Sequence, residues 1–225
     1  MKKVCIFDLD GTIIDTLDSL TLSVNLTMKE LGLSDITRSE CRDFIGNGAR
    51  VLIEKSILES GKVCEEDFLD RAIEVYKRVF AENCMYQVLP YAGINEMLDK
   101  LKAQGVRLAI LSNKPHERTV EIVEHYYGEG YFDYIQGQCD SLPRKPDPES
   151  INYVINQLGV PKHQCIYIGD SEIDIITGRG ADIDTIGVSW GFRDRIVLEE
   201  VDASVIVDHP RELMECISSM SEKEN

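Results

Sequence analysis

From residue 86 to the C-terminus, short apolar runs alternate with amphipathic stretches, and this rhythm restricts the fold more than any other feature. Residues 93–104 predict a helix, 106–111 (VRLAIL) a strand, 115–127 a helix and 133–136 a short strand. The same reading predicts a helix over 148–158 that ends at Gly159, a strand over 164–168 and a helix over 171–181. A strand at 184–188, a short strand at 204–207 and a last helix at 210–220 follow. Strands that alternate with helices form βαβ units. The expected fold class is therefore α/β, a doubly wound, mostly parallel, Rossmann-like sheet covered on both faces.

Residues 16–82 break the rhythm, with almost no β-branched runs. Leu17, Leu20, Val24 and Met28 recur at helical spacing, as do Val51, Ile53, Ile57 and Leu58, and then Phe68, Ala72, Val75, Val79 and Phe80. The expected organisation is a core of residues 1–15 plus 83–225 with a helical cap inserted at 16–82. The polar tail from Ser218 to Asn225 is expected to fray.

A chain of 225 residues can bury one good core and a smaller accessory unit. Its formal net charge of -16 repels nucleic acid, which is excluded as a partner. The same field opposes any anionic substrate, so a local cation or a divalent metal has to reverse it. Seven cysteines without a CxxC pair read as reduced thiols of a cytoplasmic protein, with Cys5 and Cys165 as small core residues. The chain enters its first strand within three residues, which predicts no signal peptide. Its apolar runs fall short of the ~20 residues that a membrane span needs.

The first strand, Val4-Cys5-Ile6-Phe7, runs into Asp8-Leu9-Asp10-Gly11-Thr12. Residues i and i+2 of a strand point the same way. Asp8 and Asp10 are therefore expected to crowd one another, which raises one pKa and suits a nucleophile paired with a proton donor. Gly11 permits a sharp exit from the strand and Thr12 can bond back across it. In isolation DxDGT also reads as a solvated turn or a metal-binding DxD. The buried strand before it favours chemistry.

Three more polar clusters follow apolar runs. Ser112 and Asn113 come after LAIL and before a predicted helix opened by Pro115, where a hydroxyl and main-chain N–H groups would bind an anion or simply cap the helix. Lys145 precedes Pro146, which favours an extended backbone, and could neutralise a phosphate. Gly169-Asp170-Ser171-Glu172-Ile173-Asp174 follows CIYI. Asp170 and Asp174 lie one turn apart, suited to a hard cation or to helix capping, whereas Glu172 is expected to be solvated. In a doubly wound sheet, ligands bind beyond the carboxyl ends of the strands, so all four clusters can converge.

These clusters, in this order, resemble the haloacid dehalogenase superfamily of phosphohydrolases over nearly the whole chain. The resemblance implies Asp8 as the nucleophile that forms an aspartyl phosphate and Asp10 as the acid and base. It implies Ser112, Asn113, Gly11 and Thr12 around the phosphoryl group, with Lys145 as its counter-charge. Magnesium would be held by Asp8, the main-chain carbonyl of Asp10 and Asp170, with Asp174 direct or through water. Within the superfamily the chain is most similar to phosphoglycolate phosphatases, through Gly46-Asn47-Gly48-Ala49-Arg50, Ser112-Asn113-Lys114-Pro115 and Val188-Ser189-Trp190-Gly191-Phe192. Arg50 and Lys114 would meet a substrate carboxylate or phosphate. The implied partner is a small phosphorylated metabolite, 2-phosphoglycolate first, for a monomer or homodimer. The alternatives are a sugar-phosphate mutase of β-phosphoglucomutase type, with a Glu-Asp pair where this chain has Gly169-Asp170, and a catalytically silent module on the same fold. A phosphonate hydrolase would need a cap lysine, and Lys55 and Lys62 carry no matching motif.

Overall fold

Val4–Phe7 contains no polar side chain, and all four residues are wholly buried, so this run fits only the middle of a sheet with both faces covered. The computed structural model describes residues 2–222. In chain order its elements are β1 (Val4–Phe7), β2 (Ile14–Asp15), α1 (Leu17–Glu30), α2 (Arg38–Phe44), α3 (Ala49–Glu59), α4 (Glu66–Asn83), β3 (Leu89–Pro90), α5 (Ile94–Ala103), β4 (Arg107–Pro115) and α6 (His116–Tyr127). They continue with β5 (Tyr134–Gln138), α7 (Glu149–Leu158), β6 (Cys165–Gly169), α8 (Glu172–Gly180), β7 (Asp184–Val188), α9 (Arg195–Glu200), β8 (Ile206–Val207) and α10 (Pro210–Glu222).

Six strands form one parallel sheet in the order β5-β4-β1-β6-β7-β8. Alternate residues Val4, Ile6, Ala109, Leu111, Cys165 and Tyr167 pack on one face with Ile151, Val154, Ile155 and Leu158 of α7. The intervening set, Cys5, Phe7, Leu108, Ile110, Ile166 and Ile168, is fully buried as well. Burial pushes the Cys5 thiol up to about 12 and the Cys165 thiol to about 11, as expected of core residues. All seven cysteines are free thiols.

The register fixes where the chemistry can occur. Phe7 pairs with Ile110 of β4 and with Ile168 of β6. One residue further, Asp8, Leu111 and Gly169 are level, and the Asp8 N–H extends the ladder to the Ile168 carbonyl at 2.8 Å. The polar clusters that follow these strands therefore meet at a single edge of the sheet.

The chain divides into two compact units, Asp15–Leu89 and the segments on either side of it. These limits differ from the expected 16–82 because the residues after α4 stay with the helices. Within the helical unit, α1 buries Leu17, Leu20, Val24 and Met28 at the expected spacing. Its buried Ser23 and Thr27 donate to the carbonyls of Ser19 and Ser23, so they bury no unpaired hydroxyl. In α3 the buried set is Leu52, Ile53, Ser56 and Ile57, while Leu58 is 52% exposed. In α4 it is Leu69, Ala72, Tyr76, Val79 and Phe80, which leaves Phe68 and Val75 half-buried. The expected stripes were thus one residue out of phase in places. Thr37 and Glu40 form a reciprocal capping box that starts α2.

Three local features depart from expectation. Strand β4 runs on to Pro115 through a register shift against β5 between Leu111 and Pro115, and α6 begins only at His116. The short α9 was not expected, because six residues are too few to show a helical period. Helix α10 continues to Glu222, so Ser218–Glu222 is ordered as helix and not frayed; the expectation for residues 223–225 lies outside the described residues. Among the described residues no helix is long and apolar enough to cross a membrane.

Candidate active site

Asp8 lies one residue beyond β1 and is 8% exposed. Its Oδ1 accepts from the Leu9 N–H at 2.7 Å and from Lys145 Nζ at 3.0 Å. Every partner described for this carboxylate thus falls on Oδ1, which leaves Oδ2 without a described donor. Burial raises the Asp8 pKa well above the usual carboxylate range, Lys145 opposes the rise, and Asp174, Asp170 and Asp10 add to it. The sequence reading assigned this rise to crowding by Asp10. Burial is the larger cause, and Asp10 contributes least of the three acids because its own charge is met elsewhere.

That charge is met by Lys114, whose Nζ reaches Asp10 Oδ1 at 2.9 Å and Oδ2 at 3.1 Å. The Lys114 side chain is 2% exposed and that of Asp10 15%, so the pair sits largely out of water. Lys114 was expected to face substrate; in the structure its ammonium spans both oxygens of Asp10. Ser112 is buried, and its Oγ accepts from the Lys114 N–H at 3.3 Å. Because β4 continues past it, Ser112 is held by an irregular strand and not by the first turn of a helix, which corrects the expected helix N-terminal anion site.

Asn113 braces Lys145. Its Nδ2 donates to the Lys145 carbonyl at 3.0 Å and its Oδ1 accepts from the Lys145 N–H at 2.9 Å. It was expected beside phosphate; both ends of its amide hold main chain. Lys145 Nζ in turn bridges Asp8 and Asp174 Oδ1, the latter at 2.8 Å. Burial works against this charge, but Asp174 and Asp8 outweigh it and raise the lysine pKa, so it stays protonated.

Asp170 and Asp174 are not equivalent. Asp174 Oδ1 accepts from Lys145 and, at 2.7 Å, from the Tyr167 hydroxyl. Its Oδ2 accepts from the Ser171 N–H at 3.1 Å and Ser171 Oγ at 2.6 Å, as the third residue of a capping box. A carboxylate has about four lone-pair sites, and all of these are taken. Burial alone would raise the Asp174 pKa, yet Lys145, Ser171 and Tyr167 together hold it below the usual range. Asp170 accepts once on each oxygen, from Thr12 Oγ1 at 3.1 Å and the Phe192 N–H at 2.7 Å, and so retains one acceptor site on each. Burial, then Asp174, push it up to about 7. Thr12, expected near phosphate, thus contacts Asp170, and the Gly11 N–H donates to the Ile14 carbonyl at 2.9 Å.

Carboxylate oxygens of Asp8, Asp170 and Asp174 all lie within 4.8 Å of one another, and all three residues are buried. Lys145 bridges two of these three buried acids, Asp8 and Asp174, and the pKa values of Asp8 and Asp170 are raised by burial. An all-oxygen donor set with surplus negative charge fits a hard divalent cation such as magnesium.

Two expected contacts take other forms. Arg50, at the start of α3, donates to Asp70 at 2.8 Å and to Glu66, both on α4, and is exposed. Glu172 is not simply solvated but pairs with Arg193 at 3.1 Å. Sequence reasoning missed Tyr167, because CIYI reads as an apolar strand; the hydroxyl two residues before Gly169 was the available signal. It also missed the Phe192 main-chain donor, which no side-chain pattern can reveal.

A family model of haloacid dehalogenase-like hydrolases matches residues 5–188. A phosphoglycolate phosphatase of Colwellia psychrerythraea is 34% identical over 194 residues, 85% of this chain and 86% of its own. A crystal structure from Lactobacillus delbrueckii subsp. bulgaricus, provisionally described as a phosphoglycolate phosphatase, has a TM-score of 0.91 and 35% identity, covering 96% of this chain and 99% of that one. A β-phosphoglucomutase of Clostridium difficile shares the fold at a TM-score of 0.77, with 21% identity over 100% of this chain and 99% of that one. With its buried carboxylates, its bridging lysine and these relatives, the chain belongs to the haloacid dehalogenase-like hydrolase family.

Proposed function

We propose that this chain is a magnesium-dependent phosphate monoester hydrolase that acts on a small anionic metabolite, with 2-phosphoglycolate the first candidate. The observation that carries the reading is the Asp8 carboxylate, held on Oδ1 by Lys145 and Leu9 so that Oδ2 is the oxygen left to attack phosphorus. Attack by Oδ2 breaks the bond from phosphorus to the ester oxygen and forms an aspartyl phosphate. Asp10 protonates the departing alkoxide and then takes a proton from the water that releases phosphate, which divides one very slow hydrolysis into two displacements. Lys114 orients the Asp10 carboxylate, and Lys145 places a fixed positive charge beside the nucleophile. Asp8 and Asp170, with the Asp10 carbonyl, would hold magnesium, which supplies positive charge to the transferring phosphoryl oxygens when bound. Asp174, with its lone pairs used, serves the site by holding Lys145.

The phosphoglycolate phosphatase relatives and the Ser112–Pro115 and Val188–Phe192 segments support phosphoglycolate as the first ester to assay. A mutase of β-phosphoglucomutase type is disfavoured at the acidic loop. A Cβ on Gly169 would lie 2.2 Å from Asp174 Cγ, so a glutamate there would displace the carboxylate that holds Lys145. The lysines that a phosphonate hydrolase would use lie over aromatic rings, Lys55 over Phe44 and Lys62 over Phe68. A cytoplasmic location and a monomeric or homodimeric state go with this reading as proposals.

A panel of phosphate monoesters with and without magnesium tests it. The expected result is magnesium-dependent release of phosphate, with phosphoglycolate among the best substrates by kcat/KM. Hexose phosphates or nucleotides a hundredfold better would overturn the substrate choice, and full turnover after exhaustive chelation would overturn the role of magnesium.

A further inference from the structure

The segment Val188-Ser189-Trp190-Gly191-Phe192, which resembles phosphoglycolate phosphatases in sequence, contributes no chemical group to the mechanism above. We propose that it is a positioning loop that sets the Asp170 carboxylate for a divalent cation, an inference that rests on Asp170 being an ion ligand.

Three hydrogen bonds and two close glycine approaches carry this. The Phe192 N–H donates to Asp170 Oδ2 at 2.7 Å, opposite the Thr12 hydroxyl on Oδ1. Trp190 Nε1–H donates to the Thr12 carbonyl at 2.9 Å, so the same loop also holds the residue that supplies the other donor. Gly191 permits the approach, since a Cβ there would lie 2.4 Å from Asp170 Cβ, from Asp170 Oδ2 and from the Gly11 carbonyl oxygen. On the other side a Cβ on Gly11, at φ +83, would lie 2.3 Å from Asp170 Oδ2. The Asp170 carboxylate is therefore wedged between two glycines and fixed by one donor on each oxygen.

The loop is itself tethered. The Ser189 N–H donates to the Val207 carbonyl at 3.0 Å, and Ser189 Oγ to Asp208, whose carboxylate also meets Arg195. A carboxylate held this way pays little ordering entropy when it takes a cation.

Trp190 is the single tryptophan of the chain and reports on the site directly. Magnesium titration of the full chain, by calorimetry and by Trp190 fluorescence, tests the proposal. Gly191→Ala should weaken the magnesium Kd by ~10-fold or more, the range typical of lost outer-shell support. Trp190→Phe, which removes the N–H donor to Thr12 and part of the ring, should weaken it by about 3- to 10-fold, read by calorimetry. Leu198→Ala, a core truncation on α9, should lower thermal stability and leave the Kd within about twofold. Wild-type Kd values in Trp190→Phe and Gly191→Ala, or losses that only track stability as in Leu198→Ala, would overturn the loop's role. Should Gly191→Ala fail to fold, Trp190→Phe decides. A wild-type protein that binds no divalent ion would overturn the ion reading itself, a result distinct from tight binding in every variant.

Discussion

The carboxyl ends of β1, β4 and β6 and the helical unit Asp15–Leu89 use charge in opposite ways. At these strand ends and in the loop after β5, Asp8, Lys145, Asp170 and Asp174 are all below 9% exposed, and each has assigned partners. In the helical unit the ion pairs Arg50–Asp70, Arg78–Glu30 and Lys77–Glu74 are exposed on both sides. Buried charges cost much to desolvate and more to leave unpaired, whereas exposed pairs are screened and contribute little. Substitutions at the strand ends should therefore alter chemistry or stability sharply, and those of the exposed helical ion pairs should alter at most selectivity.

The largest effect expected is from Asp8→Asn, because an amide does not attack phosphorus. Its kcat should fall by ~10³-fold or more with the thermal transition retained; a purified variant with more than a few per cent of wild-type rate would remove Asp8 from the mechanism.

Next comes the contrast between the two acids of the metal loop. Asp174→Ala strips Lys145, Tyr167 and Ser171 of a shared acceptor and should destabilise the fold by about 3–5 kcal/mol, as breaking a buried ion pair does. Asp170→Ala removes a carboxylate that is under-compensated without a cation, so it should cost little stability while magnesium dependence shifts severely. Equal unfolding free energies by denaturant titration would erase the distinction between a saturated and an open carboxylate.

Asp10→Asn should slow an alkyl ester ~10²-fold more than an aryl phosphate, since a phenolate leaves without a proton. An equal loss on both substrates would make Asp10 a structural partner of Lys114.

A smaller effect is expected of pH. Asp170 rises from 3.8 to about 7 on folding, so the folded state holds its proton more tightly than the unfolded chain does. The stability this provides is complete below about pH 4 and is lost as pH rises through about 7. In chelator, Tm should therefore decline across that window, and magnesium should restore it at pH 7.5. A flat profile in chelator would contradict the burial argument.

The smallest effect is expected of Arg50→Ala, which should leave Tm and turnover of an aryl phosphate almost unchanged. A rise of ~10-fold in KM confined to phosphoglycolate would give this arginine the substrate-reading role that the Gly46–Arg50 segment suggested, and would sharpen the division between chemistry in one unit and selectivity in the other.

The sequence by itself determined the parallel sheet, the helical insertion and the set of charged residues at the strand ends. Local chemistry carries that information: VCIF and CIYI tolerate only a sheet covered on both faces, and a strand followed by acids can only deliver them to one edge. The tertiary structure alone decided which charge answers which. Lys114 meets Asp10, Asn113 clamps the main chain of Lys145, Tyr167 donates to Asp174, and Phe192 donates to Asp170 through its backbone. Partner choice depends on the bulge after Leu111, on glycines that admit carboxylates at close approach, and on burial that makes every unmet donor or acceptor costly. These are relations between segments more than 20 residues apart in all but the Tyr167–Asp174 pair. A side chain's partner at such separations is fixed only when the sheet register brings the strands level, and no local pattern encodes it.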